Sequence, residues 1–196
     1  MTHPDAEKWN KRYGEEGSRW LSSKPRQLLH DFACLLPDSG MALDAAAGVA
    51  LHGRFLAERG FHVIALDISE VGLHLAKQDA AKRGLWLETA VIDLTTLWLP
   101  ADCFDVIVNF RYLERSTFSV YRQALRPGGL LIFETFVQPN TPEEHPHYFL
   151  KPGELRAAFA TLEIIHSEIT AVHGAISHRL KMVEQLVARK PYDISI

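Results

Sequence analysis

Apolar and polar positions between residues 41 and 136 alternate in blocks rather than singly. Met41-Ala42-Leu43 is a short apolar run closed by Asp44. Phe61 to Leu66 is a second run, closed by Asp67, and Trp86 to Ile92 is a third, closed by Asp93. Phe104 to Phe110, centred on Val106-Ile107-Val108, is a fourth, and Leu130 to Phe136 a fifth. Short continuous apolar runs of this kind suit strands buried on both faces. Segments of helical spacing lie between them: Leu51 to Arg59 with Gly60 as a stop, Ser69 as N-cap to about Arg83 with Gly84 as a stop, and Thr117 to Leu125 before the Pro127-Gly128-Gly129 turn. Strand–helix repeats with short connections predict a three-layer, doubly wound α/β fold on a mostly parallel sheet with right-handed crossovers.

The flanks read differently. Ala6 to Tyr13 has the spacing of a short helix with Trp9 and Tyr13 on one side, since residues four apart are neighbours. Gly14 to Pro25 reads as a loop, and Gln27 to Leu36 returns to helical spacing. Downstream, Val137 to Phe149 carries Pro139, Pro142 and Pro146 and reads as a long loop. Glu154 to Phe159 reads as a helix. Leu162 to Val172 and Leu180 to Ala188 read as strands joined through His173-Gly174-Ala175, which predicts an antiparallel hairpin at the sheet edge and seven strands in total. The expected organisation is one domain over 1–196: an N-terminal helical lid (1–36), a ligand-binding core (41–136), and a substrate-side loop with the C-terminal hairpin (137–196).

Composition narrows the partners. A net charge of −3 over 196 residues gives no global basic field, so nucleic acid is not expected as a partner. The polar start and the absence of a long apolar run predict a cytoplasmic chain with no membrane partner. Cys34 and Cys103 lack metal-ligand spacing, and His145-Pro146-His147 lacks a third ligand, so no metal is expected.

The three aspartates carry the candidate chemistry. In an open parallel sheet the ligand crevice lies outside the carboxyl ends of the strands. Carboxylates converging there suit a ligand with a cationic amine, a ribose and an amino-purine, all present in S-adenosylmethionine. Asp44 is placed to orient the turn that follows it, and Asp67, with Ile68 beside it, to accept from both ribose hydroxyls. Asp93 is placed to accept from the adenine amine, and Leu94 to offer a backbone N–H to the ring. Ala45, Ala46 and Gly48 in the first turn let the backbone approach, and the helix N-terminus after them favours a carboxylate. Singly, each aspartate is equally an ordinary strand-end cap; the spaced triplet after a glycine-containing turn favours the ligand.

The run Leu43-Asp44-Ala45-Ala46-Ala47-Gly48-Val49-Ala50-Leu51-His52 resembles the first motif of class I S-adenosylmethionine-dependent methyltransferases. Within that class it more nearly resembles bacterial enzymes similar to the tellurite-resistance and thiopurine methyltransferases. Similar matches are Trp9 to Tyr13, Arg59-Gly60, Asp67-Ile68-Ser69, Phe110 to Leu113, Leu125 to Gly129 and Leu150 to Leu155, so the resemblance covers nearly the whole chain. It implies a Rossmann-like methyltransferase fold, S-adenosylmethionine as cofactor and a small-molecule methyl acceptor, in a monomer or homodimer. The pattern departs where Ala47 and Ala50 stand in place of glycine. Leu51, Phe55 and Leu56 read as continuous helix, which places Ala50 in its first turn, where alanine is harmless.

A sulfonium donor needs in-line positioning and dehydration more than a covalent nucleophile. Trp9, Tyr13, Trp20, Phe110 and Tyr112 are candidates to roof the site, with Phe110 and Tyr112 at the transfer point and the N-terminal segment as a lid. A soft thiol or chalcogenide needs little base help; an oxygen or amine acceptor needs a base, with Glu114, Glu134, His145 and His147 as candidates. Arg111 and Arg115 are placed to pair with an anionic substrate, and Tyr112, Arg111 and His147 are the catalytic candidates. His52 reads as a packing histidine. The rivals are a non-catalytic S-adenosylmethionine-binding module and an NAD(P)-dependent oxidoreductase; the first turn lacks the Gly-x-Gly-x-x-Gly that the oxidoreductase requires.

Overall fold

A computed structural model describes residues 3–138, 148–173 and 180–192, without the side chain of Ser18. Five strands, β1 (Gly40–Ala45), β2 (Phe61–Asp67), β3 (Leu87–Val91), β4 (Phe104–Phe110) and β5 (Leu125–Phe136), pair in parallel. β6 (Glu163–His173) and β7 (Leu180–Arg189) complete a seven-stranded sheet of order β3-β2-β1-β4-β5-β7-β6. β1 pairs with both β2 and β4, so the direction of winding reverses there, and a crevice opens at the carboxyl ends of these strands. The hairpin is antiparallel as the sequence predicts, but its second strand is the inner one: β7 pairs with β5 and β6 lies at the edge.

The continuous apolar run of β4 has a direct cause. Val106 and Val108 pack on one face with Phe55, Leu56 and Leu73, while Ile107 packs on the other with Phe118, Tyr121 and Phe159. The first face is covered by α3 (Leu51–Ala57) and α4 (Glu70–Arg83), the second by α5 (Thr117–Ala124) and α6 (Glu154–Ala158). Each such fully buried aliphatic side chain contributes on the order of 1.5–3 kcal/mol relative to exposure.

Three expectations need correction. The first helix, α1, spans Pro4–Leu21, where the sequence predicted a helix ending at Tyr13 and a loop from Gly14. Gly17 fits rather than breaks it, because a Cβ there would run into the Leu75 side chain of α4; close packing outweighs the low helix propensity of glycine. The 27–36 segment is a short helix, α2 (Gln27–Asp31), followed by a 3-10 turn over Ala33–Leu35. β5 begins at Leu125, before Pro127-Gly128-Gly129 rather than after it, because Phe104 pairs with Leu125 across a bulge. Among the described residues, no helix is long and apolar enough to cross a membrane.

Candidate functional site

The turn after β1 is built from unusual backbone. Ala46 (φ 55°), Gly48 (φ 57°) and Ala50 (φ 52°) all lie in the left-handed region. Ala50 is thus the N-cap of α3 and not part of its first turn, contrary to the sequence reading. Left-handed alanine costs about 1–2 kcal/mol, so this turn stores strain that surrounding contacts hold in place.

Two aspartates supply those contacts. Asp44, 1% exposed in β1, accepts a 2.7 Å hydrogen bond from the Gly53 N–H and ties the strand to the start of α3. Gly53 has no Cβ to obstruct this; one would lie 3.0 Å from the Asp44 carboxylate. Burial pushes the Asp44 carboxyl up to about 7, opposed by the Gly53 N–H and reinforced by the nearby Asp67 charge. Asp67, at the end of β2, accepts from Gly48 N–H at 2.7 Å with Oδ2 and from Ser69 N–H at 2.8 Å with Oδ1. Burial raises its carboxyl too, against those backbone donors. Each carboxylate oxygen keeps a second lone pair for a ligand.

A cavity of about 460 Å³ opens above this turn, within the range of small-ligand sites. Trp9, Tyr13, Ala46, Asp67, Ile68, Asp93, Leu94, Phe110, Arg111 and Tyr112, all named from the sequence, line it together. Asp44, Ala45 and Gly48 do not line it; Asp44 and Gly48 act from beneath, through the bonds just described. His147 and His145 lie outside the described residues. Two other candidates fall elsewhere: Glu114 accepts from Ser116 at the start of α5, and Arg115 pairs with Glu154. Glu134, 2% exposed, forms an ion pair with Arg111 (Nε to Oε1, 2.9 Å) and accepts from Gln185 Nε2 at 2.7 Å.

The N-terminal helix forms one wall. Asn10 Oδ1 accepts from Ser69 Oγ at 2.7 Å and Val71 N–H at 3.2 Å, fastening α1 to the head of α4. The Trp9 and Tyr13 rings stack at 5.6 Å, and Tyr13 lies against Gly48 and Gly72, where added Cβ atoms would collide with its ring and hydroxyl. Burial, then Asp67, raises the Tyr13 phenol. Asp93 is held by Thr95, whose N–H and hydroxyl bond to Oδ1 at 2.9 and 2.8 Å, and these bonds lower its carboxyl. His3 Nε2 lies 3.8 Å from Asp93 on the same rim.

Several lining residues were missed from the sequence. His52 does pack as expected, stacked on Phe110 at 4.0 Å, yet it also lines the cavity. Burial, with Arg26, Arg111 and His30 nearby, pushes it down to about 3. Arg26, Phe136 and Lys181 also line the cavity, from the α2 approach and from β5 and β7, segments far apart in the chain with no shared motif. Among the described residues, no cluster of three metal-ligating side chains occurs.

Comparison with known proteins agrees with this geometry. Residues 42–129 match the methyltransferase domain family. No curated protein sequence matches the chain. Among solved structures, an S-adenosylmethionine-dependent methyltransferase of Methanosarcina mazei has TM-score 0.69 and 17% identity, over 87% of this chain and 100% of that one. TehB of Haemophilus influenzae has TM-score 0.71 and 16% identity, over 83% of this chain and 61% of that one. A protein whose structure was solved in a study of the conversion of a disulfide bond into a thioacetal group during echinomycin biosynthesis has TM-score 0.70 and 20% identity, over 88% of this chain and 84% of that one. At such identities the structural likeness establishes the fold alone, the α/β, Rossmann-like methyltransferase fold.

Proposed function

We propose that this chain is an S-adenosylmethionine-dependent methyltransferase that passes the methyl group to a small-molecule acceptor with a soft nucleophile, a thiol or chalcogenide. The observation that carries the reading is the Asp67 carboxylate, fixed by Gly48 and Ser69 at the wall of a ligand-sized cavity. The residues present fit the cofactor. Asp67 offers spare lone pairs to vicinal hydroxyls, and Asp93 with the Leu94 backbone offers an acceptor and a donor to a purine. Trp9, Tyr13 and Phe110 offer aromatic faces to a cation.

When bound, the cofactor supplies an electrophilic methyl group that needs no further activation. The chain supplies position and dehydration. Phe110, with His52 stacked behind it, and Tyr112 form a rigid aromatic rim after β4. α1 closes the other side as a lid, held by the Asn10 bonds to α4.

The choice of a soft nucleophile rests on the two titratable groups at the aromatic rim, His52 and Tyr112, neither of which is a ready base. His52 is held neutral and weakly basic, burial and the neighbouring Arg26 and Arg111 lowering it to about 3. The Tyr112 phenol is raised by burial and by Glu114. An alcohol or amine acceptor needs proton removal, whereas a thiol ionises appreciably near neutral pH. The structural neighbour studied for conversion of a disulfide to a thioacetal is a protein of this fold concerned with sulfur chemistry. Labelled methyl transfer to matched thiols, selenols, phenols and amines tests the proposal: thiols and selenols should be methylated and amines not. Preferred methylation of an amine or phenol overturns it.

A further inference from the structure

The cavity carries both charges. Asp5, Asp67 and Asp93 line it together with Arg12, Lys24, Arg26, Arg111 and Lys181, and Arg111 and Lys181 both lie over the Phe136 ring of β5. There it adjoins a second cavity of about 490 Å³, and Ser23, Lys24, Arg26 and Arg111 belong to both walls. Among the described residues, Glu134 is the only acid lining the second cavity, against Lys24, Arg26 and Arg111.

The cations there are under-compensated. Glu134 is already engaged by Gln185, and its ion pair with Arg111 is not aligned as a hydrogen bond. The Nη2 of Arg111 is buried without a hydrogen-bond partner among the described residues. Arg111 is also held at φ 66°, a strained backbone for a long side chain, with its guanidinium 4.7 Å from the Phe136 ring centre. Arg26 is half-buried and makes no ion pair or side-chain hydrogen bond among the described residues. Two guanidiniums that share one acid are incompletely compensated, and such a pair is the arrangement of a binding site for an anion. Planar guanidiniums match carboxylates and similar oxyanions in two-point hydrogen bonding.

We propose that this end of the cavity anchors an anionic group of the methyl acceptor, a carboxylate or comparable oxyanion, between Arg111 and Arg26, with Glu134 orienting Arg111. This rests on the methyl-transfer reading above. The acceptor is then a small acid whose nucleophile reaches past Phe110 toward the aspartates. The amino-acid carboxylate of the cofactor offers the same chemistry, and the test separates the two sources.

The full chain is compared as wild type, Arg26→Gln and Arg26→Lys; the Arg26 side chain has no hydrogen-bond partner among the described residues, so folding is not at stake. Turnover is measured with 3-mercaptopropionate and its amide. Binding of their S-methyl products is measured by calorimetry on chain loaded with S-adenosylhomocysteine. The acid is expected to be preferred by at least about tenfold, with the preference falling toward parity in Arg26→Gln and largely kept in Arg26→Lys. Equal handling of acid and amide by the wild type overturns the proposal. It is also overturned if Arg26→Gln weakens S-adenosylhomocysteine but not 5′-methylthioadenosine, which lacks the amino-acid part, and leaves the acid–amide ratio unchanged. Should neither thiol turn over, that counts against the methyl-transfer reading, while the calorimetric acid–amide ratio still decides the anion site.

Discussion

Asp67 Oδ2 accepts a 2.7 Å hydrogen bond from the Gly48 N–H, so the carboxylate that ends β2 is fastened to the turn that follows β1. One side chain therefore both shapes the turn and faces the cavity. Its loss should be felt twice, in stability and in ligand affinity.

Asp67→Ala should lower affinity for S-adenosylhomocysteine by about 1–3 kcal/mol, the cost of a lost charge-assisted hydrogen bond. Asp67→Asn should cost less stability, because an amide oxygen can still accept from Gly48 N–H. Calorimetric titration beside urea denaturation separates the two effects. Equal affinity in wild type and Asp67→Ala would remove Asp67 from the ligand.

The left-handed alanines make a second prediction. Ala50→Gly relieves about 1–2 kcal/mol of backbone strain against about 0.5–1 kcal/mol of added unfolded-state freedom. The net effect should be neutral to mildly stabilising, whereas Ala50→Val should destabilise strongly at a position 1% exposed. Denaturation midpoints check both. A marked loss of stability in Ala50→Gly would contradict the strain argument.

Gly48→Ala tests the contact between α1 and the turn. The added Cβ meets the Tyr13 hydroxyl, and the backbone there has φ 57°. The variant should displace Tyr13, raise its fluorescence exposure and weaken cofactor binding. Tyr13→Ala should partly restore binding in Gly48→Ala by clearing the collision. Additive losses in the double variant would argue against the contact.

Deleting residues up to Pro25 should weaken cofactor binding while the sheet stays folded, because α1 contributes Trp9 and Tyr13 to the cavity wall but no strand. An unchanged dissociation constant would end the lid account.

Asp44 predicts a pH dependence. Its folded pKa, near 7, lies above the ordinary carboxylate value of about 4. Native chain therefore keeps a proton that unfolded chain releases, and this group's contribution to stability falls as pH rises from about 4 to about 7. Asp44→Asn should thus compare better with wild type at about pH 8 than at about pH 5. Urea midpoints at the two pH values report the difference, and a constant gap would contradict it.

Much of the fold was legible because buried parallel strands leave continuous apolar runs: β4 matched its predicted bounds, Phe104 to Phe110. Asp67 and Asp93 were legible because one ends a strand and the other follows one, whereas Asp44 lies inside β1 and beneath the cavity. Ala50 misled because helical spacing downstream cannot reveal the φ of the residue before it. Gly17 misled because its packing partner, Leu75, lies 58 residues away. Of the cationic lining only Arg111 was legible, since Arg26 and Lys181 join it only in the folded chain.

The central claim is that this cavity binds S-adenosylmethionine against Asp67. Calorimetric titration of the wild type with S-adenosylhomocysteine and, separately, NADH, repeated on Asp67→Ala, tests it most directly. The account predicts saturable one-to-one binding of S-adenosylhomocysteine, at least about fivefold weaker in the variant, and none of NADH. Binding of NADH in its place, or no binding of S-adenosylhomocysteine at all, would contradict it.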